Sequence, residues 1–144
     1  MKPPSSAVVV DSAILVSALI GRTAGAIFDV STSRRLYTTD RAMIEVSRRV
    51  GLGMRRPDLL PALDALLPDL DVVAVEDIAP SINAAEFALR NGVPSRNGSA
   101  DDAHILALAW ELEADIWSHD RDFAGTGVPT WSTINLVKAL TEPG

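Results

Sequence analysis

Cysteine is absent from the 144 residues of the chain, which removes disulfides, zinc–thiolate sites and cysteine nucleophiles. No apolar run approaches the ~20 residues of a membrane span, so no membrane partner is expected. The opening MKPPSSAVVV runs straight into a strand instead of a signal-peptide core, and the cytoplasm is the expected compartment. Lysine is nearly missing, with two Lys against eleven Arg. An overall basic balance is missing too: the net charge of −6 argues, taken alone, against nucleic acid.

The distribution of charge reverses that inference. Residues 1–60 carry nine Lys/Arg and five Asp/Glu, whereas residues 61–144 carry four and fourteen. Arginine suits bidentate contact with phosphate, although a GC-rich genome produces the same bias. The clusters Arg34/Arg35, Arg48/Arg49 and Arg55/Arg56 are candidates for contacts to a nucleic-acid backbone. Bound cations would cancel part of the acidic excess.

A hydrophobic content of 47% fits a compact folded chain. No repeat, linker or boundary divides it, and residues 1–144 are expected to form one domain. AVVVD reads as a fully buried strand, a β-branched run without alternation. SAILVSALI follows as a helix with Ser12 as its cap and Gly21 at its end, and a second helix spans about 25–33. RLYTT is a short strand that leads into a helix over about 40–50, broken by Gly51 and Gly53. Pro57 suits the first turn of the next helix, which Pro61 would strain. DVVAVE is a strand and SINAAEFALRN a helix, and VPSRNGSA is the most loop-like stretch. A helix over 102–113, a strand over 115–118, the short strand VPTWS and the helix TINLVKALT complete the chain. Strands alternating with helices predict an α/β fold whose parallel sheet is covered on both faces.

Four carboxylates stand at positions that chemistry can use. Asp11 and Asp120 close strands, and ligands of open parallel sheets bind beyond such carboxyl ends. Asp102 opens a helix and shares a face with Leu106 and Ala109, an inward position costly for a carboxylate unless it is paired or bound to metal. Glu45 borders the apolar stripe Ala42, Met43, Val46 and Val50. Oxygen ligands gathered from distant parts of a chain are a means of holding Mg²⁺ or Mn²⁺.

Each position also has a plainer reading. Asp11 and Asp120 suit helix caps, and Asp102 and Asp101 suit a helix N-terminus. Glu45 suits an exposed network with Arg41 and Arg49. His104 is expected on the outward side of its helix and His119 on the sheet face opposite Asp120, both in surface or supporting roles. Trp110, Trp117 and Trp131 are expected in the core or at an interface. Ser118 shares a strand face with Asp120, within reach of a ligand or phosphate.

VVVDSAILVSAL, the glutamate of AMIEVSRR, DDAHILALA and IWSHDRDF, in that order and at those intervals, resemble the PIN domain family of metal-dependent ribonucleases, which includes VapC-type toxins. The resemblance covers nearly the whole chain and implies an α/β/α sandwich around a parallel sheet of strand order 3-2-1-4-5. It implies that Asp11, Glu45, Asp102 and Asp120 are catalytic and hold one or two Mg²⁺ or Mn²⁺ ions, with Asp101 and Asp122 as secondary acidic positions. Ser12, Ser118, Arg48 and Arg49 would bind substrate. The activity implied is endoribonuclease cleavage of RNA, leaving 5′-phosphate and 3′-hydroxyl ends. A small antitoxin and a second copy of the chain are the implied protein partners. The DDA and IWS wording departs from the commonest VapC spelling and resembles family members without a toxin role. The alternative is a non-catalytic domain of this type that binds RNA or protein.

Two other families fit less well. A receiver domain needs an acidic pair after its first strand and a late lysine in the sheet. A haloacid-dehalogenase-type phosphatase needs Asp-x-Asp there. Here Asp11 is followed by Ser12 and Ala13, and Lys138 lies in the last helix.

Overall fold

Three consecutive valines with no exposed surface, Val8, Val9 and Val10, place the first strand at the centre of the molecule. A computed structural model describes residues 2–90, 100–119 and 123–141. Strands β1 (Ala7–Val10), β2 (Arg35–Thr39), β3 (Leu70–Val73), β4 (Asp115–Trp117) and β5 (Thr130–Trp131) form one sheet in the order β3-β2-β1-β4-β5. Every pairing is parallel: Val8 stands opposite Leu36 on one side and Asp115 on the other. This is the expected strand order. A strand buried on both faces needs no polar alternation, which explains the uninterrupted AVVV run.

The two faces carry separate cores because side chains alternate along a strand. Val8, Val10 and Trp117 join Ile14, Leu15, Ile27, Leu63 and Leu136 in one cluster. That face is covered by α1 (Ser12–Leu19), α2 (Ala24–Ser31), α4 (Leu60–Leu66) and α7 (Thr133–Thr141). Val9 and Ile116 join Ala85, Leu89, Ile105, Leu106 and Ala109 in the other. There α5 (Ala79–Arg90) and α6 (Ala103–Leu112) form the covering layer. Helix α3 (Asp40–Arg48) sends Ala42 into the second cluster and Val46 into the first. The result is the expected three-layer α/β/α sandwich.

Several boundaries differ from expectation for local reasons. Asp11, not Ser12, caps α1: its Oδ1 accepts the Ile14 amide at 3.1 Å. Pro61 causes no strain, since a 3₁₀ turn at Pro57–Leu59 precedes α4 and leaves Pro61 in its first turn. Gly51 and Gly53 fall inside a π-helical turn, Arg49–Gly53, that continues α3 before the chain turns. Strand β3 stops at Val73, because a 3₁₀ turn at Val75–Ile78 buries Ile78 and starts α5 early. The loop-like VPSRNGSA stretch lies mostly outside the described residues.

His104 is the main departure. It is 1% exposed and not outward-facing, because all seven residues from Ala103 to Ala109 are buried. A helix apolar all round has no solvent face. The three tryptophans are structural, as expected. Trp117 is fully buried and donates to Thr133 at 2.9 Å, Trp131 donates to Asp115 at 2.9 Å, and Trp110 is half-buried. Among the described residues no single helix is long and apolar enough to cross a membrane.

Candidate active site

From β1 the chain continues to β2 on one side, while β4 lies on the other. This junction is the topological switch point of the sheet, where parallel α/β folds open a crevice beyond the strand ends. Asp11 is the first residue past β1 and is 7% exposed, and its amide donates to the Trp117 carbonyl at 3.2 Å. Ser118 follows β4, 2% exposed, with its amide bonded to the Trp131 carbonyl at 3.0 Å. Thr39 closes β2 and caps α3 by accepting the Ala42 amide at 3.0 Å.

Beside these strand ends lies an open cleft of about 870 Å³. Its acidic lining comes from Glu45 on α3, Glu86 on α5, and Asp101 and Asp102 at the entry to α6. Its basic lining comes from Arg41, Arg48 and Arg49, together with Arg90 at the end of α5. Ser12 supplies a hydroxyl at the start of α1. Carboxylates and guanidinium groups therefore share one concave surface, an arrangement suited to cations together with a polyanion.

Glu45 is half-buried: it contacts His104 on its inner side, and Arg49 of the expected network still acts on it. Its Oε1 lies 3.3 Å from Nε2 of buried His104, close enough for an ion pair, although Nε2 has no partner in aligned hydrogen-bond geometry. Contact with His104 holds the Glu45 carboxyl below its ordinary range; burial opposes this, and Ser12 and Arg49 add to it. Glu45 is thus kept ionised, the form a cation or a polarised water requires.

Asp102 occupies the N-cap position of α6 without a side-chain capping bond, at the helix N-terminus where the plainer reading put it. Asp11 does cap its helix. A carboxylate has about four acceptor positions, so capping α1 is compatible with holding a cation. Asp120 and Asp122 lie outside the described residues. Among the described residues no three acidic or histidine side chains stand close enough together to hold a metal ion. The donor chemistry nonetheless fits Mg²⁺ or Mn²⁺, being carboxylate oxygen throughout.

The arginine clusters separate. Arg48 and Arg49 line the cleft. Arg34 and Arg35 do not, since they lie at the opposite, amino end of β2, bonded to the Pro4 carbonyl and to Asp71. Arg56 is engaged by Asp58 at 2.9 Å, in the turn before α4. His119 is exposed and bonded to Thr133 at 2.6 Å, a supporting role as expected.

Sequence reasoning missed Arg41, Glu86 and Arg90 as cleft residues and His104 as a neighbour of Glu45. Arg41 was accessible to it, because it shares a helix face with Glu45 and Arg48. Glu86 and Arg90 were not, because their place depends on how α5 crosses α6.

A family model described as PIN domain matches residues 9–141. Among solved structures, similarity extends to a toxin–antitoxin complex from Klebsiella pneumoniae, at 19% identity and TM-score 0.63, covering 88% of this chain and 97% of that one. VapBC2 from Rickettsia felis bound to a DNA fragment from its promoter gives 12% identity and TM-score 0.68, covering 88% and 98%. VapC20 of Mycobacterium tuberculosis, a sarcin–ricin loop cleaving toxin, gives 18% identity and TM-score 0.64, covering 84% and 95%. No curated protein matches the sequence. At these identities the structural likeness speaks for the fold alone.

Proposed function

The chain belongs to the PIN domain family, and on that premise we propose that it is a metal-dependent endoribonuclease working as a single domain in the cytoplasm. The observation that carries this reading is the cleft at the switch point, where Glu45, Asp101 and Asp102 face Arg41, Arg48, Arg49 and Arg90.

Asp11, Glu45, Asp102 and Asp120 are the proposed catalytic residues and holders of one or two Mg²⁺ or Mn²⁺ ions, with Asp101 and Asp122 in support. A bound divalent cation supplies a water of lowered pKa and stabilises charge on the leaving oxygen. The chain's own residues bind and orient. Arg48 and Arg49 neutralise backbone phosphates, and their planar forks fix the strand's direction. Ser12 and Ser118 offer hydroxyls to phosphate oxygens. Glu45, whose charged form is favoured by its surroundings, is suited to hold a cation or to position an attacking water. No covalent intermediate on the protein is required. The expected products carry 5′-phosphate and 3′-hydroxyl ends.

A toxin role within a toxin–antitoxin pair is part of the proposal, supported by neighbours solved as such complexes. Large exposed apolar side chains, among them Phe28, Leu52 and Ile134, provide surface for a small antitoxin or a second copy of the chain.

Incubation of labelled single-stranded RNA with Mn²⁺ or Mg²⁺ tests the proposal, with EDTA and the Asp11→Asn variant as controls. Metal-dependent cleavage that the variant loses is the expected result. Intact RNA in the presence of folded, metal-binding wild-type protein would overturn it in favour of a non-catalytic domain that binds RNA or protein.

A further inference from the structure

His104 is the second residue of α6 and is 1% exposed. An imidazole buried so deeply requires partners for both ring nitrogens. Thr39 Oγ1 lies 2.7 Å from Nδ1, and Glu45 Oε1 lies 3.3 Å from Nε2. The same Thr39 oxygen accepts the Ala42 amide at 3.0 Å.

The Glu45 contact distinguishes the two neutral forms of the ring. The Ala42 amide occupies one lone pair of Oγ1, and the hydroxyl keeps a second lone pair and its proton, so Thr39 can either donate to Nδ1 or accept from it. The reverse arrangement, with hydrogen on Nδ1 alone, would set a bare Nε2 lone pair against a carboxylate oxygen. The Glu45 end therefore favours hydrogen on Nε2, on the side of the carboxylate though not aligned with it, and the Thr39 hydroxyl can then donate to Nδ1. The contacts also close a circuit: Thr39 caps α3, α3 carries Glu45, and Glu45 returns to α6 through His104.

We propose that Thr39 and His104 form a positioning relay for Glu45. The threonine hydroxyl donates to Nδ1, and Nε2–H holds the Glu45 carboxylate at the cleft wall between Ser12 and Arg49. The relay rests on the nuclease reading of the cleft for its catalytic consequence, while its hydrogen positions stand independently of that reading. Supporting groups of this kind orient ligands that would otherwise rotate, and their loss typically costs about 10–100-fold in metal affinity or activity.

Three variants of the full chain separate positioning from packing. In His104→Gln the amide nitrogen falls near the place of Nε2, and in His104→Asn near that of Nδ1; His104→Leu removes both. RNA cleavage and Mn²⁺ titration are measured below the melting temperature of each variant. His104→Gln is expected to keep kcat and Mn²⁺ affinity within about threefold of wild type. His104→Asn and His104→Leu should lose about 10–100-fold in one or both with KM nearly unchanged. Equal behaviour of the folded Gln and Asn variants, or wild-type behaviour of the Leu variant, overturns the relay. Nitrogen-15 NMR of the imidazole at alkaline pH gives a readout free of activity. Hydrogen on Nε2, shifting in Thr39→Val, supports the relay, and hydrogen on Nδ1 overturns it. Wild-type protein that neither cleaves RNA nor binds Mn²⁺ sinks the nuclease reading and the catalytic consequence with it, and the NMR result still decides the relay's geometry.

Discussion

Asp11 carries two demands on one carboxylate, since Oδ1 caps α1 through the Ile14 amide and the same group stands at the switch point of the sheet. The two demands separate by substitution. Asparagine keeps an oxygen for the cap and removes the charge, whereas alanine removes both. Asp11→Asn should therefore melt close to wild type, and Asp11→Ala should lose about 1 kcal/mol, lowering the melting temperature by roughly 3 °C for a domain of this size. Thermal unfolding of the two variants checks this. Equal melting temperatures would show that the cap contributes nothing. The place of Asp11 was readable because AVVVD ends a buried strand. Its capping role, assigned one residue late to Ser12, was not, because both residues are good caps and only the strand end decides between them. For Glu45 a surface network with Arg41 and Arg49 stood beside the ligand reading, because its partner His104 lies far along the chain and helix spacing reports only neighbours three and four apart.

Helix α6 shows where periodicity fails at the scale of elements. A turn of 100° per residue assigns every helix an outer face, and on that assumption His104 pointed to solvent. The first seven residues of α6 are instead all buried, between the sheet and α5. Alternating alanines and aliphatic residues in AHILALA carried that signal, which composition, not phase, would have revealed. The consequence for stability is direct. Leu106 has no exposed surface and Ile134 is 80% exposed. Leu106→Ala should cost about 2–5 kcal/mol, and Ile134→Ala should stay within about 0.5 kcal/mol of wild type. Urea denaturation measures both, and a tolerant Leu106 would contradict the packing described. Pro61 shows a milder form of the same limit: the sequence showed a proline inside a helix, while the chain starts that helix later.

For the whole molecule, strand order followed from the family resemblance and the covered parallel sheet from alternating elements, and both agree with the structure. Charge distribution was readable only in part. The basic half of the sequence does not form one basic face: Arg48 and Arg49 line the cleft, while Arg34 and Arg35 lie at the far end of the sheet. Linear position says nothing about which edge of a sheet a residue reaches. RNA binding by the Asp11→Asn protein across a salt series tests the division. Replacing Arg48 and Arg49 by alanine should flatten the slope of log affinity against log salt by about 1.4, two single-strand phosphate contacts. Replacing Arg34 and Arg35 should leave the slope unchanged. Equal effects would indicate that the nucleic acid lies elsewhere.

Carboxylates from four separate elements are proposed to act together as a cation centre. Calorimetric titration of Mn²⁺ into wild-type and Asp11→Asn protein, without substrate, tests this proposal most directly. Saturable binding of one or two ions to wild type is expected, weakened at least about tenfold in a variant that remains folded. Absence of saturable binding to wild type, or equal affinity in the two proteins, would contradict it.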